Sequence, residues 1–272
     1  MSERTILAMG GGGFTMEPEN PALDRHALSL AAAPEPRVCL LPTASGDPED
    51  QITRFHRVFG ELACRPSHLS LFRLGQQPMP LREHLLAQDV IYVGGGSMVN
   101  LLAIWRGHGL DAILREAWVR GIVLAGLSAG SMCWFQWGIS RSVGVPAPVP
   151  GLGLLPGSNS VHHDGEPERA AAYLAAVAAG TMPAGYAADD GVGLHFRGSE
   201  LAEVVSSRPG ARAYRVRREG DRAVAEAIEP RLLSHRERPR PPAPVAIEEL
   251  RRLRAQRARE PRGGLRRSHG RD

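Results

Sequence analysis

The segment Gly126-Leu127-Ser128-Ala129-Gly130 is where this chain could do covalent chemistry. It follows an apolar run, Ile122-Val123-Leu124-Ala125, with the character of a buried strand. It precedes Ser131-Met132-Cys133-Trp134-Phe135, which predicts the first turns of a helix. A serine between two glycines at a strand-to-helix turn is the nucleophile-elbow pattern. Such a turn is too sharp for large flanking side chains, and it lifts the serine oxygen to the carboxyl edge of a sheet. The N–H of Ala129 then points at the same spot and can stabilise an oxyanion. A second donor must come from a neighbouring strand end, and Gly94-Gly95-Gly96 follows a predicted strand of that kind.

A serine hydroxyl is a weak nucleophile near neutral pH. It needs a base, normally histidine, and an acid that orients the imidazole. The chain has ten histidines. His26, His56, His84 and His108 fall in predicted helices or polar loops and read as surface residues. His68 and His195 fall in predicted strands, and His235 and His269 in the tail. The pair His162-His163 alone lies downstream of the serine in a glycine-flanked loop that also carries acids, so the base is expected there. Cys39, Cys64 and Cys133 lack metal-ligand spacing, and neither Cys-x-x-Cys nor His-Glu-x-x-His occurs, so no metal is expected. Cys39 and Cys133 sit in apolar runs and read as buried thiols. The run Gly10-Gly11-Gly12-Gly13 lacks the Gly-Lys-Ser/Thr of a phosphate-binding loop and reads as a tight turn at the sheet edge.

These residues need a scaffold. Strands are expected at Thr5–Met9, Arg37–Leu41, Ser67–Phe72 and Asp89–Val93, with helices at Ala22–Ala33, Asp47–Leu62 and Leu81–Ala87 and from Ser97 and Leu110. Asp47 is the expected N-cap of its helix, with Pro48 at the first helical position. Strands alternating with helices over short loops predict an α/β fold with a mostly parallel sheet, covered by helices on both faces. Active sites in such sheets lie outside the carboxyl ends of the strands. Residues 138–160 are rich in glycine and proline and predict loop. From Gly185 the pattern becomes β-rich and predicts closing antiparallel strands.

The 272 residues are 43% hydrophobic, enough for a large core, and no run predicts a membrane span or signal peptide. A cytoplasmic protein is expected. All 33 basic residues are arginine, unevenly spread: residues 1–207 hold 14 against 20 acids, and residues 208–272 hold 19 against 9. The acidic body carries no nucleic-acid signature. The division expected is a catalytic body over 1–218 and a basic, Arg/Pro-rich extension over 219–272, partly disordered. The extension holds the linker Arg238-Pro239-Arg240-Pro241-Pro242-Ala243-Pro244 and an amphipathic stretch from Ala246 to Glu260. The favoured reading of this tail is a solvated or self-docked segment; contact with nucleic acid or another acidic partner is the rival.

Taken together, Val93-Gly94-Gly95-Gly96, the Gly126–Gly130 elbow, the downstream histidine loop and Gly165-Glu166-Pro167-Glu168-Arg169 resemble the peptidase E family of aspartyl dipeptidases, relatives of the cyanophycinases. The resemblance covers about residues 4–217. It implies a class I glutamine-amidotransferase-like, flavodoxin-like three-layer sandwich. It implies Ser128 as nucleophile, His162 rather than His163 as base, and the N–H groups of Gly96 and Ala129 as the oxyanion hole. The family's orienting acid is a late glutamate. Asp190 in Gly185–Gly191 is its closest counterpart, one methylene shorter, with Asp189 the alternative. Some relatives carry an aspartate about fifteen residues after the nucleophile; here Arg141 stands in that stretch, a departure that counts against that position and toward lost activity. Arg169 corresponds to the family arginine that grips the substrate's aspartyl carboxylate.

The expectation is therefore a serine peptidase for short peptides, above all dipeptides with N-terminal aspartate, needing no cofactor and no metal. Its partner is a small peptide, with no membrane or nucleic acid implied and a homodimer left open. The rivals are a β-aspartyl, cyanophycinase-like peptidase, another serine hydrolase on the same site, a non-catalytic binding protein, and a tail-dependent nucleic-acid binder.

Overall fold

A computed structural model describes residues 3–76 and 80–234. The proline-rich linker and the amphipathic stretch lie outside the described residues. The chain opens with strand β1 (Thr5–Met9), short helix α1 (Gly13–Met16), α2 (Ala22–Ser29), β2 (Arg37–Leu41), α3 (Glu49–Phe59), β3 (Arg65–His68), α4 (Leu81–Leu86) and β4 (Val90–Val93). Then come α5 (Met98–Gly107), α6 (Leu110–Val119), β5 (Val123–Leu127) and the four-residue α7 (Ala129–Met132). The second half holds β6 (Phe135–Ser140), β7 (Ala147–Pro150), β8 (Leu155–Ser160), α8 (Pro167–Ala178), β9 (Gly185–Ala188) and β10 (Val192–Arg197). It closes with β11 (Glu200–Ser206), β12 (Ala213–Glu219), β13 (Arg222–Ile228) and β14 (Arg231–Leu232).

The main sheet has the order β14-β11-β10-β1-β5-β4-β2-β3. Its five strands from β1 to β3 run parallel, and β10 and β11 add antiparallel. The central strands β1, β4 and β5 are buried along their whole length and almost wholly apolar because both faces are covered. Alternate side chains enter different cores: Ile6, Cys39, Ile91 and Leu124 pack on one face, and Leu7, Val38, Val90 and Val123 on the other. Each such side chain, fully withdrawn from water, stabilises the fold by about 1.5–3 kcal/mol. The α/β architecture with helices on both faces is thus as its apolar runs predict.

A second sheet, β13-β12-β9-β8-β6-β7, corrects the expectation of one sheet with loop over 138–160. Three strands form in that stretch and its flanks. β7 carries Pro148 and Pro150 but lies at the sheet edge, where a missing N–H costs no ladder bond. β8 reads as loop because it buries Ser158, Asn159 and Ser160, with no apolar alternation to reveal it. β9 pairs parallel to β8, so the late strands are not simply closing antiparallel ones. The strands also continue beyond residue 218, through β13 and β14.

Other boundaries shift for local reasons. The third strand is Arg65–His68, two residues earlier than its expected start. The helix after Ser128 stops at Met132, since the Cys133 carbonyl accepts Leu152 N–H and the chain turns into β6. Pro48, not Asp47, precedes α3; Asp47 sits at φ 55° and accepts a 2.6 Å bond from Ser70 Oγ. His26 is not on the surface but buried under α2.

Candidate active site

Ser128 closes the carboxyl end of β5, with β1 and β4 on either side. The loops Gly10–Gly13 and Gly94–Gly96 therefore flank it. Its backbone is forced to φ 54°, ψ −115°, a region L-residues avoid at a cost of order 1–3 kcal/mol. Ser128 N–H donates to the Met9 carbonyl at 3.1 Å, while its own carbonyl accepts from Ser131 and Met132 at 2.9 and 3.0 Å. The two glycines of the elbow are needed for contact. A Cβ on Gly126 would stand 2.1 Å from the Gly130 carbonyl oxygen, and one on Gly130 would stand 2.5 Å from that of Val93.

The structure brings Ser128, His162 and Asp190 into one hydrogen-bonded chain. His162 Nε2 lies 2.9 Å from Ser128 Oγ, and His162 Nδ1 lies 2.5 Å from Asp190 Oδ1. A carboxylate only accepts, so the ring proton belongs on Nδ1 and the Nε2 lone pair faces the serine hydroxyl. His162 itself holds φ 52°; among the described non-glycine residues only Asp47, Ser128 and His162 have positive φ. Asp190 is anchored in turn: its N–H donates to Asp164 Oδ1 at 3.0 Å.

The neighbouring residues of each pair face elsewhere. The His163 ring packs on Tyr214 with centroids 4.7 Å apart, and burial lowers its basicity. Asp189 accepts the Arg212 N–H at 2.8 Å, and burial raises its carboxyl. One participant gave no signal in the sequence beyond glycine content. A Cβ on Gly11 would meet Asp190 Oδ1 at 1.9 Å and His162 Nδ1 at 2.9 Å. The glycine run after β1, expected as an edge turn, thus makes room for the imidazole–carboxylate pair.

Beside Ser128 opens a cleft of about 260 Å³ lined by Gly96, Ser128, Ser140, Arg141, Ser142 and Arg169, among others. Ala129 is buried at the first position of α7, next to the serine. Among the described residues no protein acceptor takes the N–H of Gly96 or of Ala129. Arg169, in the first turn of α8, is buried. Its Nη1 donates to the Val161 carbonyl at 3.3 Å, its Nη2 pairs with Glu166 at 3.2 Å, and its Nε is buried without a partner. Burial lowers the guanidinium's affinity for its proton. Arg141, whose position had counted against a role, lines the same cleft and pairs more loosely with Glu166 and Glu168, at 3.6 and 3.8 Å. Among the described residues the one converging trio of possible metal ligands is His26, His195 and Glu203, which does not include any residue of this cleft.

An α/β sheet with a serine elbow and an adjoining histidine–carboxylate pair defines a hydrolase scaffold. The chain belongs to peptidase family S51, the peptidase E family, whose profile matches residues 6–204, and is on that ground a peptidase of the hydrolase class. It is 50% identical over 213 residues to the uncharacterized peptidase YgaJ of Bacillus subtilis (strain 168), covering 78% of this chain and 92% of that one. In fold it is similar to the crystal structure of a peptidase from an acI-B1 actinobacterium (TM-score 0.62, 19% identity, 84% of this chain and 97% of the other). It is also similar to a candidate peptidase E protein of Listeria monocytogenes EGD-e (TM-score 0.54, 15% identity, 84% and 100%). Among the described residues no helix is long and apolar enough to cross a membrane.

Proposed function

We propose that the protein is a serine peptidase that cleaves short peptides, above all dipeptides with N-terminal aspartate. The observation that carries this reading is the chain Ser128 Oγ–His162 Nε2 at 2.9 Å and His162 Nδ1–Asp190 Oδ1 at 2.5 Å. Ser128 Oγ attacks the peptide carbonyl as its proton passes to His162 Nε2. The oxygen that gains the charge is held by the N–H groups of Gly96 and Ala129. The imidazolium, steadied by Asp190, then delivers the proton to the leaving amine. Water repeats the sequence on the acyl-enzyme: it gives a proton to His162 and its oxygen to the carbonyl, and Ser128 takes the proton back as it leaves.

The cleft supports an acidic substrate. Arg169 and Arg141 both face it, and the buried Nε of Arg169 lacks a protein acceptor. A guanidinium binds a carboxylate in bidentate fashion, and a charge-assisted hydrogen bond is worth about 1.5–3 kcal/mol. Arg169→Met should therefore lower kcat/KM for Asp-Leu by roughly 10–100-fold while leaving Ala-Leu nearly unchanged. Arg141→Gln should act in the same direction and less strongly, because its side chain is 43% exposed. Equal loss on both peptides would show that the arginines serve the fold and not selectivity.

Gly11→Ala tests the support of the pair. The new methyl must push the Asp190 carboxylate aside, and displacement of about 1 Å at a catalytic group costs on the order of 100-fold in rate. Turnover within threefold of the parent would remove Gly11 from the argument.

A panel of Asp-Leu, Ala-Leu and a β-aspartyl dipeptide, with fluorophosphonate labelling, tests the reading itself. Cleavage of Asp-Leu with an adduct on Ser128 is expected. Preference for the β-aspartyl peptide would move the protein to the cyanophycinase-like reading. An absence of both adduct and turnover would leave a binding protein. We place it in the cytoplasm, in keeping with its three free cysteines.

A further inference from the structure

A second cluster of chemically active side chains lies off the serine site, between α2 and the β10–β11 pair. His195 and Glu203 are register partners on these adjacent antiparallel strands, so their side chains share a face. His26 comes down from α2 onto that face, its ring edge-on to His195 with centroids 5.9 Å apart. One ring nitrogen of each histidine and one carboxylate oxygen of Glu203 all lie within 4.8 Å of one another.

Both imidazoles are more than nine-tenths buried: His26 is 7% exposed and His195 is 4%. Yet His26 Nε2 and His195 Nδ1, each sealed from solvent, have no partner among the described residues. A buried polar atom left unmet is costly to the fold. Two of them beside one carboxylate call for a common partner. Arg231 Nε donates to Glu203 Oε1 at 2.6 Å, which steadies the carboxylate and leaves its second oxygen available.

We propose that His26, His195 and Glu203 form a binding site for one divalent transition-metal ion of the zinc class. Two imidazole nitrogens and a carboxylate oxygen are the donor set that suits zinc or cobalt and not calcium or magnesium. Bonds of about 2.0–2.2 Å set ligand atoms about 3.4 Å apart, so the trio, now within 4.8 Å, closes by at most about 1.4 Å on the ion. A fourth, tetrahedral position falls to water. His195 pairs with Leu7, two residues back along β1 from Met9, the residue whose carbonyl receives the Ser128 N–H. The ion would therefore tie α2 to the β10–β11 edge of the sheet and take no part in peptide cleavage.

The test uses the full chain, stripped with a chelator and dialysed against Zn2+ or Co2+. One equivalent of Zn2+ is expected, with a Zn2+-dependent rise in Tm and, for Co2+, the intense visible bands of a four-coordinate site. Glu203→Gln, on a half-exposed strand residue that should leave the fold intact, should weaken Zn2+ binding at least tenfold. His195→Phe should abolish the cobalt spectrum. Failure of the stripped wild-type chain to bind an equivalent overturns the proposal. So does binding that both variants leave unchanged, which would assign the ion to other histidines.

Discussion

Ser128→Ala is expected to lower kcat on Asp-Leu by about 10⁶-fold, the loss seen when a serine nucleophile is removed from a set that acts as a unit. The fold should survive. Alanine inherits the same φ of 54°, so the strain of the elbow is common to both proteins, and the change removes a single hydrogen bond at the wall of a cleft. Tm should move by only a few degrees, and the fluorophosphonate adduct should vanish with the activity. The residue lies where three strand ends meet, so the experiment isolates one oxygen atom without disturbing the glycine contacts that hold it up. A variant that still turned over within tenfold of the parent would place the nucleophile elsewhere and sink the serine mechanism.

Much of this site is legible in the sequence because the elbow imposes steric demands that only certain residues meet. Gly126 and Gly130 have carbonyl oxygens where their side chains would be, and that requirement is visible as a Gly-x-Ser-x-Gly pattern after an apolar run. The parallel core strands are equally plain, since a sheet covered on both faces needs unbroken apolar segments such as Val90–Val93. The second sheet is not legible. β8 is held by buried polar side chains, with Ser158 bonded to Tyr173 at 2.8 Å, and β7 is tolerated as a proline-bearing edge. In neither strand does hydrophobic periodicity carry the signal. Gly11 escaped for a different reason: its need for a missing Cβ arises from Asp190 and His162, about 150–180 residues away in the chain. That Arg141 lines the wall of the cleft was not legible either, because it depends on how distant segments fold together.

Asp190→Asn is expected to cost about 10⁴-fold in kcat with KM little changed, through the tautomer of His162 and not through its position. The carboxylate accepts a hydrogen bond from Nδ1–H at 2.5 Å, and so leaves Nε2 bare toward the serine. An asparagine amide at the same place can donate to Nδ1. That bond moves the ring proton to Nε2, where it meets Ser128 Oγ as a second donor, and the hydroxyl loses its base. Fluorophosphonate labelling should slow in parallel, because acylation needs the same proton transfer. Asp189→Asn is the control. Asp189 accepts the Arg212 N–H and sits away from His162, so its loss should register in Tm, with kcat kept within a few fold. The reverse pattern, a silent Asp190→Asn beside an inactive but folded Asp189→Asn, would transfer the orienting role to the other aspartate. Equal and modest losses in both would mean that the imidazole is oriented chiefly by its backbone at φ 52°, with the carboxylate a lesser support.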